Sequence, residues 1–175
     1  MQKDVWNIKK ELEYLLKERG FSYRERSNDI FEIVSHKNVL IEVTAKLIIS
    51  DQVDPLFHGT KNGTEIKAIG CFSFEQLNGK EFDYYILAFS NKADNCLEFA
   101  ILPFSELKHR LESRSQIIAP GNDKIELELW LLPDDFLFET TNLGAEGEWW
   151  LIGGRMAINT HRDYTCYRNA WNQIK

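Results

Sequence analysis

The stretch that most constrains this chain runs from Gly20 to Lys46, where a short polar turn separates two runs of β-forming residues. Each run carries an acid: Asp29 opens the first run, and Glu42 lies in the second. The turn, residues 35–38, has the polar composition found between two antiparallel strands. The pattern therefore predicts a β-hairpin with one carboxylate on each strand.

The position of the turn also predicts a register for this hairpin. With the loop centred on residues 36 and 37, Asp29 lies opposite Thr44. In that register Asp29, Glu42 and Thr44 project from one face, and Lys46 follows on the same face. Diagonal neighbours on adjacent strands are about 7 to 8 Å apart, which is close enough for two carboxylates to share one divalent ion.

An aspartate, a glutamate and a lysine on one face suit the hydrolysis of a phosphodiester. The carboxylates hold Mg²⁺ or Mn²⁺, and the ammonium stabilises developing charge or helps to deprotonate water. The same alternation also describes the solvated outer face of a sheet, because strands routinely turn charged residues outward. The residue pattern alone leaves both interpretations open.

An amphipathic helix is predicted upstream of the hairpin, from Asp4 to Arg19. Apolar residues recur there at helical spacing, and Gly20 stands where a C-terminal stop is expected. The apolar positions are Val5, Ile8, Leu12, Leu15 and Leu16. Glu11 flanks this apolar stripe, so the chain opens with a helix that carries an acid and then enters the strands.

In this order of features the chain resembles the restriction-endonuclease-like, PD-(D/E)XK nuclease superfamily and, in layout, the Holliday-junction resolvases within it. Those proteins open with a glutamate-bearing helix, a Gly-Phe exit, a strand with an arginine, an aspartate at the next strand and an E-x-K strand. The corresponding pieces here are Glu11, Gly20-Phe21, Arg24 or Arg26, Asp29 and the segment from Ile41 to Lys46. The resemblance implies an α/β fold with a mixed central sheet flanked by helices.

The resemblance also implies Mg²⁺- or Mn²⁺-dependent hydrolysis of DNA phosphodiesters. In that reaction Asp29 and Glu42 are the metal ligands, and Glu11 is a further ligand or an orienting group. Lys46 stabilises charge at the scissile phosphate. Many such enzymes act as dimers because two strands need two sites, so a homodimer is expected.

Two positions depart from the family pattern. Asn28 stands where a proline often precedes the aspartate, and Thr44 occupies the place of the lysine. Lys46 could supply the missing charge from two residues later. The alternative is a copy that has lost catalysis and serves as a binding or regulatory module.

The middle of the chain continues the likeness. The likeness implies a helix carrying Gln76 within residues 73–78, ahead of a strand from Tyr84 to Ser90. A second strand, Leu97 to Leu102, leads into a helix from Pro103 to about Arg114. The likeness makes Gln76 a candidate site-lining residue, although an exposed glutamine at a helix start fits equally well.

The last third predicts a β-rich, aromatic extension. Lys124 to Leu132 alternates as a strand, and Asp163 to Trp171 is predicted as a closing helix capped by its first residue. Aromatic residues near arginine could stack unpaired bases, or they pack in the core. We expect one domain over residues 1–175, with a nuclease-like core over 1–115 and the extension over 116–175.

The net charge of −6 argues against a general nucleic-acid binder. A local positive rim around a metal could still accommodate a phosphate. Two basic islands are candidates for such a rim, and each also fits a solvated surface. The first consists of Lys17, Arg19, Arg24 and Arg26, and the second of Arg155, His161, Arg162 and Arg168. A different reading of the same charge is an acidic, immunity- or antitoxin-like protein that presents carboxylates to a basic protein partner.

The composition predicts a folded protein in the cytoplasm. Hydrophobic residues make up 43% and aromatic residues 13% of the chain, enough for a packed core. No apolar run approaches the roughly 20 residues of a membrane span, and the first residues form a charged helix rather than a signal peptide. Cys71, Cys96 and Cys166 are too widely spaced for a CxxC metal site and offer no disulfide framework.

Overall fold

A computed structural model describes residues 2–27, 29–35, 41–51, 59–61, 64–75, 82–91, 93–112, 124–141 and 162–174. The elements are α1 (Gln2–Glu18), β1 (Phe21–Ser27), β2 (Ile30–Ser35), β3 (Ile41–Ile49), β4 (Gly59–Lys61), β5 (Thr64–Ile66), β6 (Ala68–Glu75), β7 (Tyr84–Asn91), β8 (Cys96–Pro103), α2 (Phe104–Glu112), β9 (Lys124–Leu131) and β10 (Leu137–Glu139). Neither α1 nor α2 is long and apolar enough to cross a membrane, and the described ranges contain no other α-helix. The described part of the chain is mixed α/β, with more residues in strands than in helices.

The central sheet has five strands in the order β1-β2-β3-β7-β8. β1, β2 and β3 form an antiparallel meander, β7 joins β3 in parallel, and β8 returns antiparallel to β7. This arrangement confirms the predicted mixed sheet. A parallel pair needs a long crossover connection, and here the connection runs through β4, β5 and β6.

A second, antiparallel sheet has the order β10-β9-β6. β6 therefore occupies residues 73–75, where a helix was predicted, and Gln76 lies outside the described residues. The strand forms because Ala68, Gly70, Phe72 and Phe74 alternate along it and are all buried. β9, from the predicted C-terminal extension, pairs with β6 along its whole length, so the extension and the core share one sheet.

Helix α1 covers one face of the central sheet. Its buried residues Ile8, Leu12 and Leu16 lie in one apolar cluster with Phe31 of β2. Gly20 ends the helix as predicted: its φ of 80° is left-handed, and its amide donates to the carbonyl of Lys17 at 3.0 Å. The stop signal and the apolar stripe together place the helix where the sequence predicts it.

The second sheet and α2 cover the opposite face of the central sheet over β7 and β8. Phe72 of β6, Phe89 of β7, Leu107 of α2 and Leu129 of β9 belong to one large buried cluster there. The predicted pair of flanking helices is thus only partly realised, since strands form most of this layer. Apolar residues on both sides of β7 and β8 make these two strands the centre of the core.

The C-terminal segment, residues 162–174, contains two 3₁₀ turns, Thr165–Tyr167 and Trp171–Gln173, in place of the predicted closing helix. Short-range backbone hydrogen bonds close these turns, and Asn169 bonds to β8 between them. The Asn169 amide donates to the Phe99 carbonyl at 2.7 Å, and the Phe99 amide donates to Asn169 Oδ1 at 3.3 Å. The edge of β8 therefore takes the Asn169 amide, which a continuous helix would have bonded internally.

Candidate functional site

The strands β2 and β3 pair in a register that differs from the predicted one. Glu32 lies opposite Thr44, and Val34 lies opposite Glu42. The carbonyl of Asp29 accepts a hydrogen bond from the amide of Leu47 at 2.7 Å. The prediction that placed Asp29 opposite Thr44 is therefore wrong by three residues.

Burial explains this register. Phe31 and Ile33 of β2 share a face with Val43 and Ala45 of β3, and all four pack in the cluster beneath α1. The predicted register puts Phe31 opposite Glu42, which would set apolar residues of one strand among polar residues of the other. Because side chains alternate with period two, a shift by an odd number of residues exchanges the two faces of a strand.

Asp29 lies on the helix side of the sheet, in the turn between β1 and β2. Its φ is 67°, and its carboxylate lies 3.2 Å from Nζ of Lys9 on α1. Glu42 projects from the other side of the sheet, five residues along β3 from Leu47, the pairing partner of Asp29. At about 3.3 Å per residue that separation is roughly 16 Å. The structure does not bring the two predicted metal ligands together.

The face turned away from α1 carries the remaining polar side chains of β1 to β3. We call this surface the polar face; it consists of Arg24, Arg26, Glu32, Glu42, Thr44 and Lys46. Glu32 on β2 is the diagonal neighbour of Glu42 on β3. The acid that accompanies Glu42 is therefore Glu32 rather than Asp29.

Arg26 joins the two glutamates of the polar face. Its guanidinium contacts the Glu32 carboxylate directly and lies 3.7 Å from Oε1 of Glu42. The adjacent Glu32 raises the pKa of Glu42. A hydrogen bond with Glu42 and another with Arg26 lower the pKa of Glu32. Arg26 lies closer to Glu32, so Glu32 keeps the charge and Glu42 is the carboxyl that takes up a proton more readily.

Thr44, in the place of the family's lysine, is fixed to the start of β7. Oδ2 of Asp83 accepts hydrogen bonds from the Thr44 amide at 2.8 Å and from the Thr44 hydroxyl at 3.0 Å. The Asp83 amide in turn donates to the Thr44 carbonyl at 2.9 Å. Position 44 therefore supports the β3–β7 junction.

Lys46 lies on the polar face, but not beside Glu42. Its Nζ is 5.3 Å from the centre of the Phe82 ring, a cation–π distance. Four residues of strand, roughly 13 Å, separate Lys46 from Glu42. The amine is therefore stacked on an aromatic ring at the far end of the polar face.

The other predicted site residues are dispersed. Glu11 is exposed on α1, on the opposite side of the sheet from the polar face. Arg24 is exposed on the polar face opposite Glu32. Arg162 donates to the Thr141 carbonyl at 3.0 Å and to the Glu139 carbonyl at 3.4 Å, which ties the C-terminal segment to the residues at and after the end of β10. Gln76, Arg155 and His161 lie outside the described residues.

Sequence reasoning overlooked Glu32, Asp83 and Phe82. The signal for Glu32 was present in the alternation of Ile30 to Val34, which turns Glu32 away from the buried Phe31 and Ile33. Asp83 and Phe82 gave no local signal, because their contacts with β3 depend on the crossover. Non-local pairing thus decided which side chains meet on the polar face.

Within the part of the chain that the structure describes, no three His, Cys, Asp or Glu side chains form a group that could hold a metal ion. No protein-family model, no curated protein and no solved structure matches this chain. The likeness to restriction-endonuclease-like proteins therefore stays a prediction from the sequence.

Proposed function

We propose that this chain is a catalytically silent protein of restriction-endonuclease-like layout that binds a protein partner. The observation that carries the proposal is the separation of Asp29 from Glu42 on opposite sides of the sheet. Two carboxylates so placed do not fit one divalent ion. A metal-dependent phosphodiesterase of the family's kind needs them together.

The order of elements supports the layout. Helix α1, the meander β1–β3, the parallel strand β7, the strand β8 and the helix α2 follow one another in the order that the resemblance implies. The crossover is the departure, because β6 replaces the helix expected before β7. The order of elements therefore agrees with the implied layout over α1 to β3, where the acids and Thr44 lie. It differs from that layout in the layer that packs over β7.

The partners of the site residues support catalytic silence. Lys9 pairs with Asp29, Arg26 pairs with Glu32 and lies 3.7 Å from Glu42, and Asp83 holds Thr44. A catalytic acid that binds metal has to be free of such cations or to exchange them. The polar face has the composition of a solvated or contact surface instead.

The charge of the chain supports a protein partner over a nucleic acid. A net charge of −6 repels a phosphate backbone at long range and attracts a basic protein. The Arg26 guanidinium, a predicted DNA contact, is already paired with two carboxylates. Complementary charge mainly accelerates encounter and selects the partner.

The proposal is tested by plasmid nicking in Mg²⁺ or Mn²⁺ together with calorimetric titration of each ion. We expect no nicking and no saturable heat of ion binding, because the structure pairs the carboxylates internally. Substitutions Glu32→Gln, Glu42→Gln and Asp29→Asn should leave this result unchanged. Nicking by the wild-type protein that any one of these substitutions abolishes would overturn the proposal.

A second candidate function is DNA hydrolysis at a shifted site. The observation that favours it is that Glu32 and Glu42 are diagonal neighbours on adjacent strands, a spacing at which two carboxylates can share an ion. Mg²⁺ commonly uses only one or two carboxylates and completes its shell with water and phosphate. In the same nicking assay this function requires loss of cleavage in both glutamate variants and normal cleavage by the Asp29→Asn variant.

A further inference from the structure

An open groove of about 660 Å³ lies between the C-terminal half of α1, the end of the β7–β8 hairpin and the C-terminal segment. Its lining includes Glu11 and Leu15 of α1, Asn95 and Leu97 of the hairpin, and Trp171 of the C-terminal segment. The volume falls in the range of about 300 to 1,000 Å³ that is usual for binding pockets. Both apolar and polar side chains line it.

The basic residue that lines the groove, Arg19, already has partners within the protein. Nη1 of Arg19 donates to the Leu15 carbonyl at 3.1 Å and lies 3.3 Å from the Glu18 carboxylate. The guanidinium also lies 5.5 Å from the centre of the Trp171 ring. Arg19 therefore forms part of the wall, with its charge largely balanced.

The acidic and neutral polar residues that line the groove differ from Arg19 in their hydrogen bonding. Glu11, Ser90 and Asn95 are exposed, and among the described residues none of their side chains makes a hydrogen bond or ion pair. Glu11 therefore supplies the unbalanced charge of the groove. A ligand that complements it carries a positive charge and an apolar stem.

We propose that this groove binds a short basic segment of the protein partner, with an arginine or lysine side chain paired to Glu11. The alkyl stem of that side chain packs on Leu15 and Leu97, and Ser90 and Asn95 hydrogen-bond the segment's backbone. The inference rests on the proposed function, because it names where the protein partner binds. It gives Glu11 a recognition role in place of the predicted metal-site role.

Cys96 provides a direct readout, because its exposed side chain lines the groove. The probe is acetylated tri-arginine amide, and the measurement is the rate of alkylation of Cys96 by iodoacetamide, followed by peptide mass spectrometry. Burial and the nearby Glu98 raise the pKa of Cys96, so the reaction is run at about pH 8.5. At a peptide concentration about ten times Kd, mass action predicts roughly tenfold slower alkylation.

Cys166 is the internal control, because it is also exposed but does not line the groove. Its alkylation rate should not change. The Glu11→Gln variant should bind the peptide about fivefold more weakly, as expected for one exposed ion pair. The matched variant Glu126→Gln removes the same charge from an exposed position on β9 and should keep the protection.

Equal protection of Cys96 and Cys166, or equal protection in the wild-type protein and the Glu11→Gln variant, would show non-specific attraction and overturn the groove site. Absence of protection at saturating peptide would overturn it as well. Neither result bears on catalysis. A chain that neither nicks plasmid nor shows protection keeps its catalytic silence and loses only the groove as a partner site.

Discussion

Glu98 is a buried charged residue that joins β8 to the C-terminal segment. It is only 2% exposed, yet its carboxylate accepts two hydrogen bonds from the Arg168 guanidinium, each 2.9 Å long. Asn91 and Asn169 each donate a further hydrogen bond to it at 3.1 Å. A buried carboxylate with this many donors fixes the C-terminal segment to β8.

The substitution Glu98→Gln should destabilise the protein by about 3 kcal/mol, because it removes the buried carboxylate partner of Arg168 and leaves that guanidinium only its ion pair with the exposed Asp135. Urea unfolding followed by far-UV circular dichroism measures the loss. Glu112→Gln, which removes a carboxylate of an exposed helical pair with Lys108, is the control and should cost less than about 0.5 kcal/mol.

The pH dependence of the unfolding free energy, compared between the wild-type protein and the Glu98→Gln variant, provides a second check on the same prediction. Burial alone would raise the pKa of Glu98, but hydrogen bonds from Arg168 and Asn91 lower it below its ordinary value of 4.5. A lowered folded pKa gives stability that is complete above 4.5 and lost as the pH falls through the folded value. The Glu98→Gln variant should lose less stability in this acid range than the wild-type protein, and an identical acid loss would contradict the prediction.

At the scale of single elements, the sequence predicts well where the signal lies within one element. The strand predicted from Lys124 to Leu132 is β9, Lys124–Leu131, and the helix predicted from Asp4 to Arg19 is α1, Gln2–Glu18. Apolar periodicity and stop signals are local, so they do not depend on the rest of the fold. The strands predicted from Tyr84 to Ser90 and from Leu97 to Leu102 are likewise present as β7 and β8.

The errors concern relations between elements. The register of β2 and β3 was predicted from the turn, whereas the apolar alternation of both strands against α1 decides it. Residues 73–75 pair with β9, a partner some fifty positions away that the local pattern does not reveal. The Asn169 amide donates to β8, and its φ of 47° is left-handed, so a helix does not continue through it. The candidate site was misplaced because it depends on pairing between strands.

At the scale of the whole molecule, the C-terminal segment joins the two layers of the fold. Tyr164 belongs to the cluster between the two sheets, and Trp171 belongs to the cluster beneath α1. The Tyr84 hydroxyl donates to the carbonyl of Gln173 at 2.8 Å. The segment therefore covers the β8 edge of the central sheet and forms one wall of the groove.

Trp171→Ala should destabilise the protein by about 3 to 5 kcal/mol, the usual cost of removing a large buried ring. Trp171 is 3% exposed, and its ring lies 5.4 Å from the ring of Phe99. Tyr14 of α1, which is 59% exposed, is the control, and Tyr14→Ala should change stability by less than about 0.5 kcal/mol. Equilibrium urea unfolding compares the variants, and similar losses in both would contradict the role of the C-terminal segment.

The register of β2 and β3 is tested most directly by engineered disulfides in a background with Cys71, Cys96 and Cys166 replaced by serine. Hydrogen-bonded and non-hydrogen-bonded pairs alternate along an antiparallel ladder. The pair of Asp29 and Leu47 is hydrogen-bonded, and the pair of Glu32 and Thr44 lies three positions further along, so it is a non-hydrogen-bonded pair.

Paired cysteines at positions 32 and 44 should therefore oxidise to a disulfide under mild conditions, because opposite residues lie within the Cα range of about 4.4 to 6.8 Å. The matched pair Asp29→Cys with Thr44→Cys should stay reduced, as measured by mass spectrometry after thiol labelling. Disulfide formation in the 29/44 pair and not in the 32/44 pair would contradict the register and return Asp29 to the neighbourhood of Glu42.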